Sequence, residues 1–140
     1  KEMLLLADED AMVFAPLAAA YSLPSGTEKE KAHKEAVMEE NLRAASLVPL
    51  QIMEAAEKCI SHLEFLEANG SVMAVRDVGV AVQFIRTALT GAVMNVYINT
   101  KYMKQRDEAE KINQKAEKLL EEGTKRADLV YEKVLSRLKK

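Results

Sequence analysis

The sequence predicts an all-α fold: a single domain built as a bundle of about five antiparallel helices that pairs with a second chain. Glycine and proline are scarce, at 5 and 3 of 140 residues, and where they cluster they separate runs in which apolar residues recur at helical spacing. The chain is long enough for one domain with a sizeable core and too short to indicate two.

The first helix is predicted over residues 1 to about 23. Pro16 falls inside this run, and a proline there removes one hydrogen bond and clashes with the carbonyl of Met12. We therefore expect a kink at this point. The face expected to meet the rest of the bundle carries Asp10, Phe14, Leu17 and Tyr21.

The second helix is predicted from Glu28 to about residue 47. It follows a turn at residues 23–26, and Thr27 with Glu30 fits a capping box, in which the threonine caps the helix and the glutamate reaches back. Pro49 then suits the first position of a new helix, because proline is favoured there.

The third helix is predicted from Pro49 to about residue 68, where Asn69-Gly70 has the form of a left-handed stop. A fourth helix, from Asp77 to about residue 102, is nearly uncharged and is expected to lie at the centre of the bundle. A fifth, from about residue 107 to 138, is charged on most of its surface. Its apolar stripe comprises Ala109, Ile112, Ala116, Leu119, Ala127, Val130, Val134 and Leu138.

The composition excludes several classes of partner. A formal net charge of −2, without a basic stripe, argues against nucleic acid and anionic membranes. The longest apolar run, residues 11–23, contains a proline and is short for a membrane span, and the acidic residues 8–10 do not fit a leader peptide. One cysteine, Cys59, excludes an internal disulfide. A cytoplasmic location is expected.

No pattern of metal ligands or of common catalytic motifs is present. The two histidines, His33 and His62, are 29 residues apart, and neither has a cysteine or carboxylate at ligand spacing on the same face. The chain also lacks a glycine-rich phosphate loop, a GxSxG motif and a CxxC motif. We expect no metal.

Three carboxylates have two possible roles each. Asp8 and Asp10 belong to an acidic run that suits a solvated helix face, yet apolar neighbours could hold one of them at the edge of the core. Asp77 stands at the predicted start of the most apolar helix, where it could cap the helix or face its positive dipole end.

Two asparagines interrupt the apolar stretch AVMNVYIN at residues 92–99. Asn95 and Asn99 are four residues apart and so share one helix face. A buried amide without a partner costs about 1 to 3 kcal/mol. The two amides therefore either hydrogen-bond each other or a neighbouring helix in a polar seam, or bind a polar ligand.

Asp77 and Asn95 point to the same side of one helix but are about 27 Å apart along it, since 18 residues make five turns. One site within one chain cannot use both. An antiparallel pairing of two chains would bring the Asp77 end of one against the Asn95 end of the other, which predicts a site at a dimer interface.

Five phrases stand in order along the chain: LADEDA at residues 6–11, AAYSLP at 19–24, ASLVPL at 45–50, NG at 69–70 with DVGVA at 77–81, and NVYIN at 95–99. Together they resemble a known family, the cyclodeaminase domain of formimidoyltransferase-cyclodeaminase, which also includes stand-alone methenyltetrahydrofolate cyclohydrolases. The resemblance extends to about Lys101. The whole chain, 1–140, resembles the C-terminal two thirds of such a domain, without the family's N-terminal region. The family tends to place a serine where this chain has Arg76.

The resemblance implies a reaction and roles for these residues. N10 of 5-formimidoyltetrahydrofolate attacks the amidine carbon, ammonia leaves, and 5,10-methenyltetrahydrofolate forms, with no metal and no tightly bound cofactor. A partly buried carboxylate suits the proton transfer. The implied catalytic residues are Asp77 and Asp10, and the implied substrate-binding residues are Asp8, Asn95, Asn99 and Arg76. The implied partners are the folate substrate and further copies of the chain, as a homodimer or higher homo-oligomer.

Two alternatives stay open at this point. A methenyltetrahydrofolate cyclohydrolase would direct water at the same one-carbon bridge. An inactive or truncated helical module would use its apolar helices only to dimerise, and it would bind no folate.

Overall fold

A computed structural model describes all 140 residues as four helices joined by short turns. The helices are α1 (Glu2–Tyr21), α2 (Glu28–Asn69), α3 (Val72–Thr100) and α4 (Arg106–Leu138). α2, α3 and α4 pack as a three-helix bundle, whereas α1 packs along α2 alone. The predicted all-α class is confirmed, and the predicted number of about five helices is wrong. None of the four helices has an apolar stretch long enough to cross a bilayer.

The two helices expected on either side of residue 48 are one helix, α2, that runs through Pro49. Proline lacks the N–H that would bind the carbonyl of Ala45, four residues back. The side-chain amide of Asn99 on α3 supplies the donor instead, at 2.9 Å from that oxygen. Pro49 is fully buried, so water could not have filled this role.

Pro16 lies inside α1, which also continues past it. Here the proline and the preceding turn are exposed, so water can bind the carbonyl that loses its donor. The face of α1 expected to pack is also partly wrong. Leu17 is buried, but Phe14 and Tyr21 are exposed. The residues that turn toward α2 are Met3, Leu6, Asp10, Val13, Leu17 and Ala20.

Both ends of α2 have specific caps. At its start, Glu30 N–H donates to Thr27 Oγ1 at 3.1 Å and Thr27 N–H donates to the Glu30 carboxylate at 3.0 Å, which confirms the capping box. At its end, Gly70 has φ −78° rather than the expected left-handed conformation. Glycine is needed there because a Cβ atom would lie 2.5 Å from the carbonyl oxygen of Leu66. Arg137 of α4 binds the carbonyl oxygens of Glu67 and Gly70.

α3 begins at Val72, five residues before the predicted start, because Ser71 caps it and accepts from Ala74 N–H at 3.4 Å. Asp77 therefore lies in the second turn and caps nothing. The expectation that this helix is the central one is also wrong. α2 contacts all three other helices, while α3 contacts only α2 and α4 and leaves one apolar side exposed.

Two apolar clusters form the core. The larger has 14 buried residues, among them Leu17, Leu42, Met53, Val96 and Ile112, and joins all four helices. The smaller has 7 and joins the other end of the three-helix bundle; it contains Ile60, Val75, Val78, Val82, Ala127, Val130 and Val134. The α4 stripe expected from the sequence is largely confirmed, because six of its eight residues are buried.

A polar cluster also ties α2 to α4. The Arg126 guanidinium donates to both oxygens of Glu64, at 2.7 and 2.9 Å, to Glu57 at 3.2 Å and to the Ser61 hydroxyl at 2.7 Å. The hydrogen bonds from Arg126 lower the pKa of Glu64. These groups fix the register of the two helices.

Candidate functional site

Asp10 is the one carboxylate on the inward stripe of α1. The stripe is otherwise apolar, and Asp10 is partly buried in it, whereas Asp8 and Glu9 point into solvent. No cation lies within 4 Å of the Asp10 carboxylate. A carboxylate in such a position can accept and return a proton without first breaking an ion pair.

Asn99 and Asn95 differ in their surroundings. The Asn99 side-chain amide donates to the carbonyl oxygens of Ala45 and Asn95, both at 2.9 Å, so its two N–H groups are in use and only its oxygen is free to accept. The Asn95 side chain is exposed and has no partner in the chain. Asn99 therefore belongs to a polar seam between helices, and Asn95 remains available to a ligand.

The register of α1 on α2 gives the level of Asp10 along α2. Glu2 pairs with Lys58 at 3.6 Å, and Lys34 donates to the carbonyl oxygen of Tyr21 at 2.8 Å, so the two helices run antiparallel. Asp10 lies roughly midway along α1 and so beside the middle of α2, the part that contains Ala45. α1 and α3 flank α2 without touching each other.

Asp77 and Arg76 lie at the other end of α3. Their side chains form an exposed ion pair with each other, at 3.4 Å, and contact no other helix. Within one chain Asp10 and Asn99 thus lie at a similar level along α2, on two helices that do not touch each other. Asp77 lies about 27 Å from Asn95 along α3, with Arg76 beside it.

A cleft of about 540 Å³ opens one turn from the asparagine seam, where the end of α1, the start of α2 and the turn after α3 meet. Two tyrosines and three lysines line it above an apolar floor: Tyr21, Lys31, Lys34, Leu42, Tyr102 and Lys104. The size and the mixed lining suit a small ligand with an aromatic and an anionic part.

The lysines of this cleft are not equivalent. Lys104 pairs with Glu35 at 2.7 Å, and this hydrogen bond lowers the pKa of Glu35. The Lys34 ammonium donates to the Tyr21 carbonyl oxygen, and Lys31 forms no ion pair. Glu39 also lines the cleft, so three lysines against two glutamates leave one net positive charge. Sequence reasoning missed this site because its lining comes from three separate segments.

A second concave surface is a groove of about 460 Å³ between α3 and α4. Its lining is mostly apolar and includes Val80, Phe84, Tyr131 and Leu135, with Arg76 at its edge. Arg86, two residues after Phe84, donates to Asp128 at 2.7 Å, and that bond raises the pKa of Arg86. Arg86 is thus occupied in joining α3 to α4.

No three histidine, cysteine, aspartate or glutamate side chains come together in a way that could hold a metal ion. Asp10, Asp77, Asn95 and Asn99 line neither of the two clefts. They can move protons and donate or accept hydrogen bonds.

Comparison with known proteins places these features in a family. The family model described as formiminotransferase-cyclodeaminase matches residues 1–118. Methenyltetrahydrofolate cyclohydrolase of Methylorubrum extorquens is 34% identical over 130 residues, which are 93% of this chain and 62% of that protein. Formimidoyltransferase-cyclodeaminase of Rattus norvegicus is 34% identical over 125 residues, 89% of this chain and 23% of that protein.

A solved structure has the same fold. The crystal structure of formiminotetrahydrofolate cyclodeaminase from Thermotoga maritima matches with a TM-score of 0.69 at 22% identity, over 96% of this chain and 61% of that one. The chain thus spans less than two thirds of the length of each of these relatives. With the family model covering most of its residues, the chain belongs to the formiminotransferase-cyclodeaminase family.

Proposed function

We propose that this chain is a folate one-carbon enzyme that closes 5-formimidoyltetrahydrofolate to 5,10-methenyltetrahydrofolate and releases ammonia, which makes it a lyase. Membership of the family supports the substrate class. The observation that carries the chemistry is the placement of Asp10, a partly buried carboxylate without a cation, at the level of α2 where α3 presents its two asparagines.

In the proposed reaction, N10 of the folate forms a bond to the carbon of the protonated amidine and gives a tetrahedral intermediate that carries an NH2 group. The proton on N10 passes to the Asp10 carboxylate and from there to the departing nitrogen, so ammonia leaves and the carboxylate is restored. Asp10 suits this task by its position, because no cation lies within 4 Å of its carboxylate and the group can take the proton without first breaking an ion pair. Asp77 is the second candidate for this role.

The other predicted site residues are proposed to bind substrate. Asn95 has both its donor and its acceptor free, and Asn99 offers its oxygen only, so together they can orient the polar edge of the pterin ring. Asp8 lies two residues from Asp10 on the solvent side. Arg76 lies at the far end of α3 from the asparagines, so it would bind this substrate only from a second copy of the chain.

The cleft beside the seam is proposed to hold the anionic glutamate tail of the folate. Lys31 and Lys34 supply positive charge there, and Tyr21 and Tyr102 provide apolar surface at its walls. A tail bound in this cleft would lead to the seam at Asn99, one turn away, which leaves the reacting end of the substrate near Asp10.

Methenyltetrahydrofolate cyclohydrolase activity is the second candidate. The observation that favours it is the relative of that name, of which this chain covers 62%, compared with 23% of the formimidoyltransferase-cyclodeaminase. In that reaction water would attack the one-carbon bridge, and the same carboxylate would take its proton.

We also propose that residues 1–140 act as a single helical domain, equivalent to the C-terminal two thirds of a cyclodeaminase domain. It would work in the cytoplasm as a homodimer or higher homo-oligomer, with no tightly bound cofactor. The apolar residues exposed on α3 support the oligomer. The location rests on composition alone.

The experiment that tests this function mixes the purified chain with 5-formimidoyltetrahydrofolate and follows both the methenyltetrahydrofolate chromophore and ammonia. Chromophore with equimolar ammonia is expected. If added methenyltetrahydrofolate is hydrolysed but no ammonia is released from 5-formimidoyltetrahydrofolate, the cyclohydrolase is favoured. If neither reaction occurs and calorimetry detects no folate binding, the chain is an inactive dimerisation module.

A further inference from the structure

The chain contains a single asparagine–glycine pair, Asn69-Gly70, where α2 ends. Such a pair is prone to lose the side-chain amide, because glycine has no Cβ to shield its backbone nitrogen. That nitrogen attacks Cγ of the asparagine and gives up its proton, ammonia leaves, and a five-membered succinimide ring forms. Water then opens the ring to aspartate or to isoaspartate. The other four asparagines precede Leu42, Val96, Thr100 and Gln114.

In the folded chain both reacting groups form hydrogen bonds within α2. The Gly70 N–H donates to the carbonyl oxygen of Leu66 at 2.7 Å, which closes the last turn of the helix. The Asn69 side-chain amide donates to the carbonyl oxygen of Phe65 at 2.9 Å, so the amide is held back along the helix. Asn69 must leave its helical conformation before the ring can close. The reaction therefore requires that this turn opens first.

Arg137, in the last turn of α4, holds the same turn from outside. Its guanidinium donates to the carbonyl oxygens of Glu67 and Gly70, and it also lies 3.6 Å from the Glu67 carboxylate. The two carbonyl groups stand on either side of Asn69 in the chain. Arg137 thus restrains the stretch of backbone that has to rotate for ring closure, through contacts that its charge strengthens.

We propose that Asn69-Gly70 is a modification site that the fold keeps closed, with Arg137 as its latch. When the last turn of α2 opens, Asn69 becomes succinimide and then aspartate or isoaspartate. Asn69 is exposed, so water reaches the ring as soon as it forms. The proposal is independent of the proposed function, because it concerns the chain's own backbone and needs no folate.

Modification would alter the connection between α2 and α3. This connection consists of two residues, Gly70 and Ser71. Isoaspartate adds one backbone atom next to it, and either product adds a negative charge at the carboxyl end of α2, which the helix dipole disfavours. Ser71 caps α3 by accepting from Ala74 N–H. A shift of the connection would therefore reach the start of α3, and the modified chain should melt at a lower temperature than the unmodified one.

Incubation at mildly alkaline pH tests the site. The purified chain is kept in buffer or in guanidinium chloride and then digested, and mass spectrometry with chromatography measures aspartate and isoaspartate at residue 69. Modification should be at least about tenfold faster in the denaturant, because the protecting turn is then open. The other four asparagines are internal controls and should stay intact. Equal rates in both solutions, or no modification of the denatured chain, would overturn the proposal.

The latch is tested in buffer by Arg137→Ala, which should raise the modification rate about threefold or more, since α2 then loses its support from α4. Arg137→Lys keeps the charge without the forked donor and should give an intermediate rate. The matched control is Lys139→Ala, which removes an exposed cation two residues further on and should not change the rate.

All of these chains should react at one common rate in guanidinium chloride, which would show that the variants act through the fold. Circular dichroism establishes that each variant is folded in buffer. A folded Arg137→Ala chain that modifies no faster than the unchanged chain would rule out Arg137 as the latch. The comparison of folded with denatured chain needs no variant, so it decides the site even if Arg137→Ala fails to fold.

Discussion

The side-chain amide of Asn99 on α3 donates to the carbonyl oxygen of Ala45 on α2, at 2.9 Å, and Ala45 is the residue whose usual donor is missing because Pro49 follows four positions later. The asparagine thereby replaces a backbone hydrogen bond with one between helices. It explains both a proline in the middle of a 42-residue helix and a polar residue in the apolar sequence of α3.

Replacing Asn99 by alanine is expected to lower the free energy of unfolding by about 1 to 3 kcal/mol, because the Ala45 carbonyl would be left without a donor in a buried place. Urea denaturation measures this change. Asn95→Ala is the control and should cost about 0.5 kcal/mol or less, since that side chain is exposed.

Combining this change with Pro49→Ala identifies the cause. Alanine at position 49 restores the backbone N–H, so the loss caused by Asn99→Ala should shrink in that background. Equal losses in both backgrounds would mean that the amide does not compensate for the proline.

Asp10→Asn is expected to reduce kcat for ammonia release by about 100-fold or more, because amide nitrogen cannot accept the proton of N10. Glu9→Gln is the matched control: it removes a neighbouring, exposed carboxylate and should leave kcat unchanged. A substantially active Asp10→Asn enzyme would transfer the catalytic role to Asp77, whose asparagine variant should be measured in the same series.

Lys31→Ala is expected to raise KM for the folate about three- to tenfold while kcat changes little, because the unpaired ammonium would act on the substrate tail and not on the reacting atoms. The effect should weaken as salt is added. Lys29→Ala removes an exposed lysine outside the cleft and serves as the control. The same KM change in both variants would show a general charge effect and not a tail site.

The stability of the fold should respond to acid through Glu64. Its pKa is lowered from 4.5 by hydrogen bonds from Arg126. A lowered pKa in the folded state means that the stabilisation is present above pH 4.5 and is lost as the pH falls through the lower folded value. Glu64→Gln should therefore be less stable than the unchanged chain near neutral pH, and the difference should shrink below pH 4.5.

Denaturant titrations across that pH range test the prediction, with Glu132→Gln as a control for an exposed carboxylate that forms no ion pair. A constant difference between the Glu64 variant and the unchanged chain at every pH would contradict the assignment.

Features determined by neighbouring residues could be predicted from the sequence. The capping box of Thr27 and Glu30 and the apolar stripe of α4 depend on residues three or four positions apart, and both are confirmed. The break expected at Pro49 is wrong because the donor that rescues the helix, Asn99, is 50 positions away. Ser71 offered a local cap signal that the more conspicuous Asp77 obscured.

The candidate site was predictable only in part. The sequence identified Asp10 as one of two possible core-edge carboxylates, and only the packing of α1 on α2 separates it from Asp8. The lysine cleft could not be foreseen, because Lys31 and Lys104 are brought together by the turn that reverses the chain between α3 and α4. Pattern analysis detects faces of one helix and not the space between helices.

The attachment of α1 to a single neighbour has a consequence for motion. Since α1 rests on α2 alone, it can detach while the other three helices keep all of their mutual contacts. Its amide protons should therefore exchange with deuterated solvent sooner than those of α2 and α3. Detachment would carry away Asp10 together with Tyr21, one wall of the cleft, so a folate analogue that spans both should slow the exchange of α1 and leave the rest of the chain unchanged.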